Sequence, residues 1–153
     1  MQNSKLAIIG TGNIGMSIAD GLLDSGSFQP DQMMLTRRKI NRLARFSERG
    51  VLTTSDNVAA VEFADIVLIA VEPQQIDEVL TEIGPLLESD KHTLISVVTG
   101  VSIDQIQAHV GNGAAIVRAM PNTAISLRES ITCLTSNDQS AAIEIGKSIF
   151  NTV

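Results

Sequence analysis

Short apolar runs alternate along this chain with stretches in which apolar residues recur every three or four positions. Lys5-Leu6-Ala7-Ile8-Ile9 predicts a buried strand, and Ile14, Ile18 and Leu22 then form one stripe of a helix that Ser25-Gly26 closes. Met33–Thr36 reads as a second strand. Ile40, Leu43 and Ala44 mark a second helix ending near Gly50, and Val51-Leu52-Thr53 is a short third strand. Ser55-Asp56 offers a cap for a helix running to Ala64. Residues 65–71, Asp-Ile-Val-Leu-Ile-Ala-Val, are apolar on both faces, as a central parallel strand covered by helices must be.

The remainder keeps the same rhythm. Ile76, Val79, Leu80 and Ile83 have the i, i+3, i+4, i+7 spacing of one helix face. Residues 93–98 predict a strand, Ser102 caps a helix carrying Ile103 and Ile106, and residues 115–118 predict another strand. A segment at 130–134 and a helix at 140–150 follow, with no closing strand after Asn151. Strand and helix alternating without hairpin signals predict an α/β domain of Rossmann type: a doubly wound, mainly parallel sheet with helices on both faces. One such domain accounts for all 153 residues, with no internal repeat or low-complexity linker.

Composition narrows the chemistry. The chain is 44% hydrophobic and 18% charged, which is ordinary for a globular domain. Its net charge of -6 argues against a nucleic-acid binder, since phosphate backbones need clustered Lys and Arg. There is no Trp and no Tyr, so stacking platforms for bases or sugars are scarce. The single Cys133 allows no internal disulfide, and no Cys/His cluster suggests a metal. No apolar run approaches the roughly 20 residues of a membrane span, and the first residues lack a signal-peptide pattern. A cytoplasmic location is expected. His92 and His109 read as solvent-facing, and Cys133, in an apolar segment, as a small core residue.

Gly10-Thr11-Gly12-Asn13-Ile14-Gly15 follows the first strand directly and opens the first helix. That context makes a G-x-G-x-x-G run a dinucleotide site: a tight turn at Gly10, backbone access to a pyrophosphate at Gly12, and close helix-on-strand packing at Gly15. The helix N-terminus adds free N–H groups and a partial positive charge. Enzymes selective for NAD carry an acid about 20 residues further on, bonding the ribose 2′-hydroxyl. Here the second strand ends Leu35-Thr36-Arg37-Arg38-Lys39. Two guanidiniums suit the 2′-phosphate of NADP(H), which is therefore expected in preference to NAD(H); a solvated basic face is the competing reading. Ala70-Val71-Glu72-Pro73, Val97-Val98-Thr99 and Met120-Pro121-Asn122-Thr123 end three later strands at the same edge, where they should ring the nicotinamide. Pro73 also suits the first position of a helix whatever binds nearby.

Taken in order, the glycine loop, Ala-Val-x-Pro-Gln at 70–74, Gly-Val-Ser-Ile at 100–103 and Arg-x-Met-Pro-Asn-Thr at 118–123 resemble the pyrroline-5-carboxylate reductase family, from Lys5 to about Phe150. The Arg-x-Met-Pro-Asn-Thr run is the most specific piece. The resemblance implies reduction of the C=N bond of 1-pyrroline-5-carboxylate with NAD(P)H to give L-proline. It implies dinucleotide contacts at Ile9, Gly10, Thr11, Gly12, Asn13 and Ile14, at Thr36 and Arg37, at Asn57, and at Ala70, Val71, Glu72 and Pro73. Val97, Val98 and Thr99 would border the nicotinamide, and Met120, Pro121, Asn122 and Thr123 would lie where cofactor and substrate meet. No residue is assigned as catalytic, because a protonated imine is already a good hydride acceptor.

Three departures accompany the resemblance. Glu72 stands where the family usually has Lys. Residues 124–130 lack the family's two glycines after the Asn-Thr pair. The all-helical domain that in the family forms the oligomer and completes the substrate pocket has no counterpart here, so this chain, cut short or a natural fragment, is expected to supply the cofactor half of a homo-oligomeric protein. Two other readings remain. A related reductase of the coenzyme-F420-dependent NADP or hydroxyacid dehydrogenase type would share the glycine loop, and a non-catalytic NADP(H)-binding module would account for the missing domain.

Overall fold

The computed structural model describes residues 3–111, 114–127, 129–137 and 141–153. Among these residues seven strands form one sheet: β1 (Leu6–Ile9), β2 (Met33–Thr36), β3 (Leu52–Thr54), β4 (Ile66–Ile69), β5 (Thr93–Ser96), β6 (Ala115–Pro121) and β7 (Thr132–Ser136), in the order β3-β2-β1-β4-β5-β6-β7. β1 to β6 pair in parallel, and β7 pairs antiparallel to β6. The expected mainly parallel, doubly wound sheet is therefore observed. The order reverses between β1 and β4, the switch point at which open α/β sheets leave a crevice beyond their carboxyl ends.

Helices cover both faces. α1 (Asn13–Asp24) and α6 (Ala141–Phe150) lie on one face, where Ile18, Leu22, Ile149 and Phe150 meet Leu6, Ile8 and Leu68. On the other face α3 (Asn57–Phe63), α4 (Ile76–Ile83) and α5 (Ile103–Val110) bring Ala60, Val61, Leu80, Ile83 and Ile106 against Ala7, Ile9, Val67 and Ile69. Alternate residues of β1 thus feed separate cores, the physical reason its run is uninterruptedly apolar. Local chemistry sets the helix starts. Asp56 Oδ1 accepts from Ala59 N at 3.1 Å. Ser102 and Gln105 form a reciprocal capping box at the start of α5.

Several expectations are corrected. The second helix is only a 3-10 turn, Ile40–Leu43, followed by the single turn α2 (Ala44–Ser47), which buries Leu43 and Phe46. β3 is displaced by one residue, with Val51 buried just before it. The segment expected at 130–134 is the edge strand β7, at 132–136. Only one side of that strand is covered. Cys133 pairs with Met120 in register and both are exposed, so Cys133 is not a core residue. Ser140, expected to begin the last helix, lies outside the described residues.

His92 is also corrected: it is buried. Its Nδ1 accepts from Glu88 N at 2.9 Å and its Nε2 lies 3.3 Å from Val61 O, so the ring joins the turn before β5 to the end of α3. Burial, reinforced by the Lys91 charge, lowers its pKa below the usual histidine value. His109 is exposed as expected, with Nε2 3.2 Å from Asp77 Oδ1. No helix among the described residues is long and apolar enough to cross a membrane.

Candidate functional site

The strand registers align the carboxyl ends of the sheet. Ile9 lies opposite Thr36 on one side and Ile69 on the other, and Ile69 lies opposite Ser96. The residues that follow each strand, Gly10, Arg37, Ala70 and Val97, therefore leave the sheet at one level. Two cavities open there, of about 670 and 890 Å³. Gly12, Ala70, Val71 and Glu72 line both, which makes them one cleft over the switch point.

Gly10 turns the chain at φ +80°, and a Cβ there would stand 2.3 Å from Val71 Cγ1. Gly15 is also closely enclosed, a Cβ falling 3.3 Å from both Gly10 O and Ile8 Cγ2. A Cβ on Gly12 would meet only Gly10 O, at 4.0 Å. Gly12 thus leaves space on the cleft side, and it begins α1 with no side-chain cap and no acid in the first turn. An uncapped helix start above a cradle of this size fits the pyrophosphate of a dinucleotide. Asn13 and Ile14 line the larger cavity, and Ile14, expected on the buried stripe with Ile18 and Leu22, is exposed there instead. Thr11 is fully buried: its N and Oγ1 donate to Thr36 O at 2.9 and 2.8 Å. It braces the loop to β2 and offers no side chain to the cleft.

The smaller cavity collects the end of β2. Arg37 N donates to Thr54 O at 3.1 Å and Arg37 Nη1 to Thr11 O at 2.6 Å, so this guanidinium lies against the glycine loop. Arg38 Nη2 reaches Glu78 Oε2 at 3.0 Å across the rim. Thr36 Oγ1 accepts from Gly10 N at 3.3 Å and donates to Asn57 Oδ1 at 2.8 Å; Asn57 Nδ2 donates to Glu82 at 2.8 Å. Ile9, Gly10, Thr36, Arg37, Arg38 and Asn57 are thereby brought together.

The larger cavity lies beyond the carboxyl ends of β5 and β6. Val97, Val98 and Thr99 line it with Pro73, Pro121 and Asn122. Pro73 also opens the 3-10 turn Pro73–Gln75. Glu72, exposed between the two cavities, accepts from Gln74 Nε2 at 2.6 Å. Asn122 Oδ1 accepts from Ala124 N at 3.0 Å, starting the 3-10 segment Thr123–Leu127 that carries Thr123 along the same edge. Met120 is not in the lining: strand alternation directs it to the face it shares with Cys133. Arg118 Nε donates to Val101 O at 2.6 Å and fixes β6 to the preceding loop.

Sequence reasoning missed Lys39, Ser55, Gln75, Glu78, Val79 and Glu82 in the smaller cavity, and Met16, Ser17, Asp20, Arg45 and Ile125 in the larger. A signal existed for part of the first set. Gln75, Glu78, Val79 and Glu82 also follow the i, i+3, i+4, i+7 spacing, one residue behind the apolar face of α4. Among the described residues no group of three or more His, Cys, Asp or Glu side chains is arranged to hold a metal.

A family model described as NADP oxidoreductase, coenzyme F420-dependent, matches residues 5–100. Pyrroline-5-carboxylate reductase 2 of Dictyostelium discoideum is 38% identical over 97% of this chain and 55% of that protein. A pyrroline-5-carboxylate reductase structure from Coxiella burnetii superposes with a TM-score of 0.91 at 35% identity, covering 98% of this chain and 56% of that one. The pyrroline carboxylate reductase of Plasmodium falciparum, solved with NADP bound, gives a TM-score of 0.84 at 27% identity over 99% of this chain and 56% of that one. The chain spans a little over half the length of each of these relatives.

Proposed function

The chain belongs to the family of NADP oxidoreductases described as coenzyme F420-dependent, and from that premise we propose that it is the cofactor-binding half of a pyrroline-5-carboxylate reductase. The observation that carries the proposal is the single cleft over the switch point, with Gly12 open to it and the uncapped start of α1 at its centre. The smaller cavity would hold the adenosine end of NADP(H), with Arg37 and Arg38 facing the 2′-phosphate. The N–H groups at the start of α1 would take the pyrophosphate. Val97, Val98, Thr99, Pro121 and Asn122 would border the nicotinamide.

Bound NADPH supplies a hydride, which here would go to the imine carbon of 1-pyrroline-5-carboxylate. The chain's own residues orient and enclose. The apolar Val97 and Val98 limit water on one side of the larger cavity, and Asn122, held by Ala124 N, presents a polar group at its mouth. Glu72 puts a carboxylate between the two halves of the cleft. What favours the pyrroline substrate is the likeness to pyrroline-5-carboxylate reductases at 35–38% identity over 97–98% of the chain, together with the Arg118-Ala119-Met120-Pro121-Asn122-Thr123 run that lies beyond Gly100, where the family model ends. A second domain would close the other side of the cleft and join subunits in a homo-oligomer, in the cytoplasm.

The test is turnover by the full-length gene product with 1-pyrroline-5-carboxylate and NADPH, beside the 153-residue chain. Proline formation by the first, with the second binding NADPH but turning over little, is expected, because orientation of substrate needs both walls of a cleft. NADPH binding without imine reduction in the full-length protein would instead support a regulatory module.

A further inference from the structure

The cation cluster read from the end of β2 is not alone in its cavity. Arg37, Arg38 and Lys39 line it together with Glu72, Glu78 and Glu82, so three cations face three carboxylates. Glu72 is engaged with the Gln74 amide and Glu82 with the Asn57 amide, both neutral partners. It is Glu78 that reaches a cation of the cluster, at 3.0 Å from Arg38 Nη2.

The two arginines are consequently unlike. Arg37 is fixed on the glycine loop by the carbonyl of Thr11. Arg38 leans across the rim onto α4, and both members of its pair remain largely exposed. An anion entering the cavity must draw Arg38 from Glu78 or bind beside that carboxylate. A dinucleotide without a 2′-phosphate meets neither cost.

We propose that Glu78 is a specificity-determining residue of the dinucleotide site: by holding Arg38 it weakens discrimination in favour of a 2′-phosphorylated dinucleotide. This rests on the dinucleotide reading of the cleft given above. An ion pair this exposed is worth at most about fivefold in an equilibrium constant and is screened by salt, which bounds the effect. Glu78 also lies in the first turn of α4, where an acid suits the helix end, but Asp77 beside it keeps that role.

The experiment measures NADPH and NADH binding to the full 153-residue chain at low ionic strength by cofactor fluorescence, which the absence of Trp leaves uncluttered. Circular dichroism checks the fold of each variant. Glu78→Gln is expected to raise the NADPH-to-NADH affinity ratio about three- to fivefold. Glu78→Lys should raise it at least as much. In an Arg38→Ala background, Glu78→Gln should change the ratio little. An unchanged or lower ratio in Glu78→Gln overturns the proposal. So does the same gain with Arg38 absent, which would make Glu78 a bare repulsive charge. Binding of neither dinucleotide by the unaltered chain would overturn the cleft reading itself, and this inference with it.

Discussion

A Cβ on Gly10 would lie 2.3 Å from Val71 Cγ1 and 2.9 Å from Val71 N and Cα, so the turn leaving β1 runs hard against the backbone leaving β4. Two requirements coincide there, since Gly10 also has φ +80°. Gly10→Ala would carry a side chain in a left-handed conformation, at about 1–2 kcal/mol, and overpack a backbone neighbour, at about 1–3 kcal/mol. The expected loss is about 2–5 kcal/mol, read as a fall in urea midpoint with little change in slope. A variant as stable as the parent would show that β1 and β4 can separate at this level, undoing the geometry of the cleft.

Gly12 separates binding from folding. Its φ of -82° is open to any residue, and a Cβ would meet only Gly10 O, at 4.0 Å. Gly12→Val should therefore keep the fold while its side chain fills the space a pyrophosphate needs. Calorimetry should show at least a tenfold loss of NADPH affinity with a near-parental melting temperature. Unchanged affinity would place the dinucleotide elsewhere.

The interior of this fold was legible in the residues, and its margins were not. β1 and β4 each feed two cores, so their runs of branched and aliphatic residues have no polar interruption. The apolar stripes of α1 and α4 were as plain, apart from Ile14, whose side chain serves the cleft. β7 misled because an edge strand covered on one side still holds Cys133 and Leu134, with Ile131 just before it, and local hydrophobicity does not reveal which neighbours are missing. Exposure at Ile131 reaches 77%. His92 misled in the opposite sense: its surroundings, Ser-Asp-Lys, are those of a surface turn, and its burial depends on Val61, 31 residues away. At the site, glycines and strand-end arginines announce themselves through backbone rules and charge. Glu78 and Glu82 lie on α4, 40 or more residues beyond Arg38 in sequence, and only the fold brings that helix to the smaller cavity.

Arg37 and Arg38 should contribute unequally to NADPH binding. A hydrogen bond to a charged group is worth about 1.5–3 kcal/mol, or roughly 10- to 150-fold in affinity. Arg37 is the less exposed and also donates to Thr11 O at 2.6 Å. Arg37→Ala should therefore weaken NADPH binding by at least tenfold, with a smaller loss for NADH that measures the loosened loop. Both the preference and its loss should shrink between low and high salt. Equal losses for the two cofactors would reduce Arg37 to a brace.

His92 makes stability depend on pH in a direction its contacts fix. With Nδ1 accepting from Glu88 N, the ring proton sits on Nε2 and donates to Val61 O, so the folded state holds neutral imidazole. Burial first, and the Lys91 charge second, lower its pKa below the value near 6.5 that it recovers on unfolding. Between the lowered folded value and about 6.5 the unfolded chain binds a proton that the folded chain does not, and protonation therefore favours unfolding. This contribution is fully present above pH 6.5, declines as pH falls through that window and levels off below the folded pKa. Urea midpoints measured from pH 8 down to pH 5 should fall accordingly. His92→Gln should start about 1–3 kcal/mol less stable, through its buried hydrogen bonds, and should lose that part of the slope. An identical pH profile in the variant would move the dependence to other groups and leave His92 as packing alone.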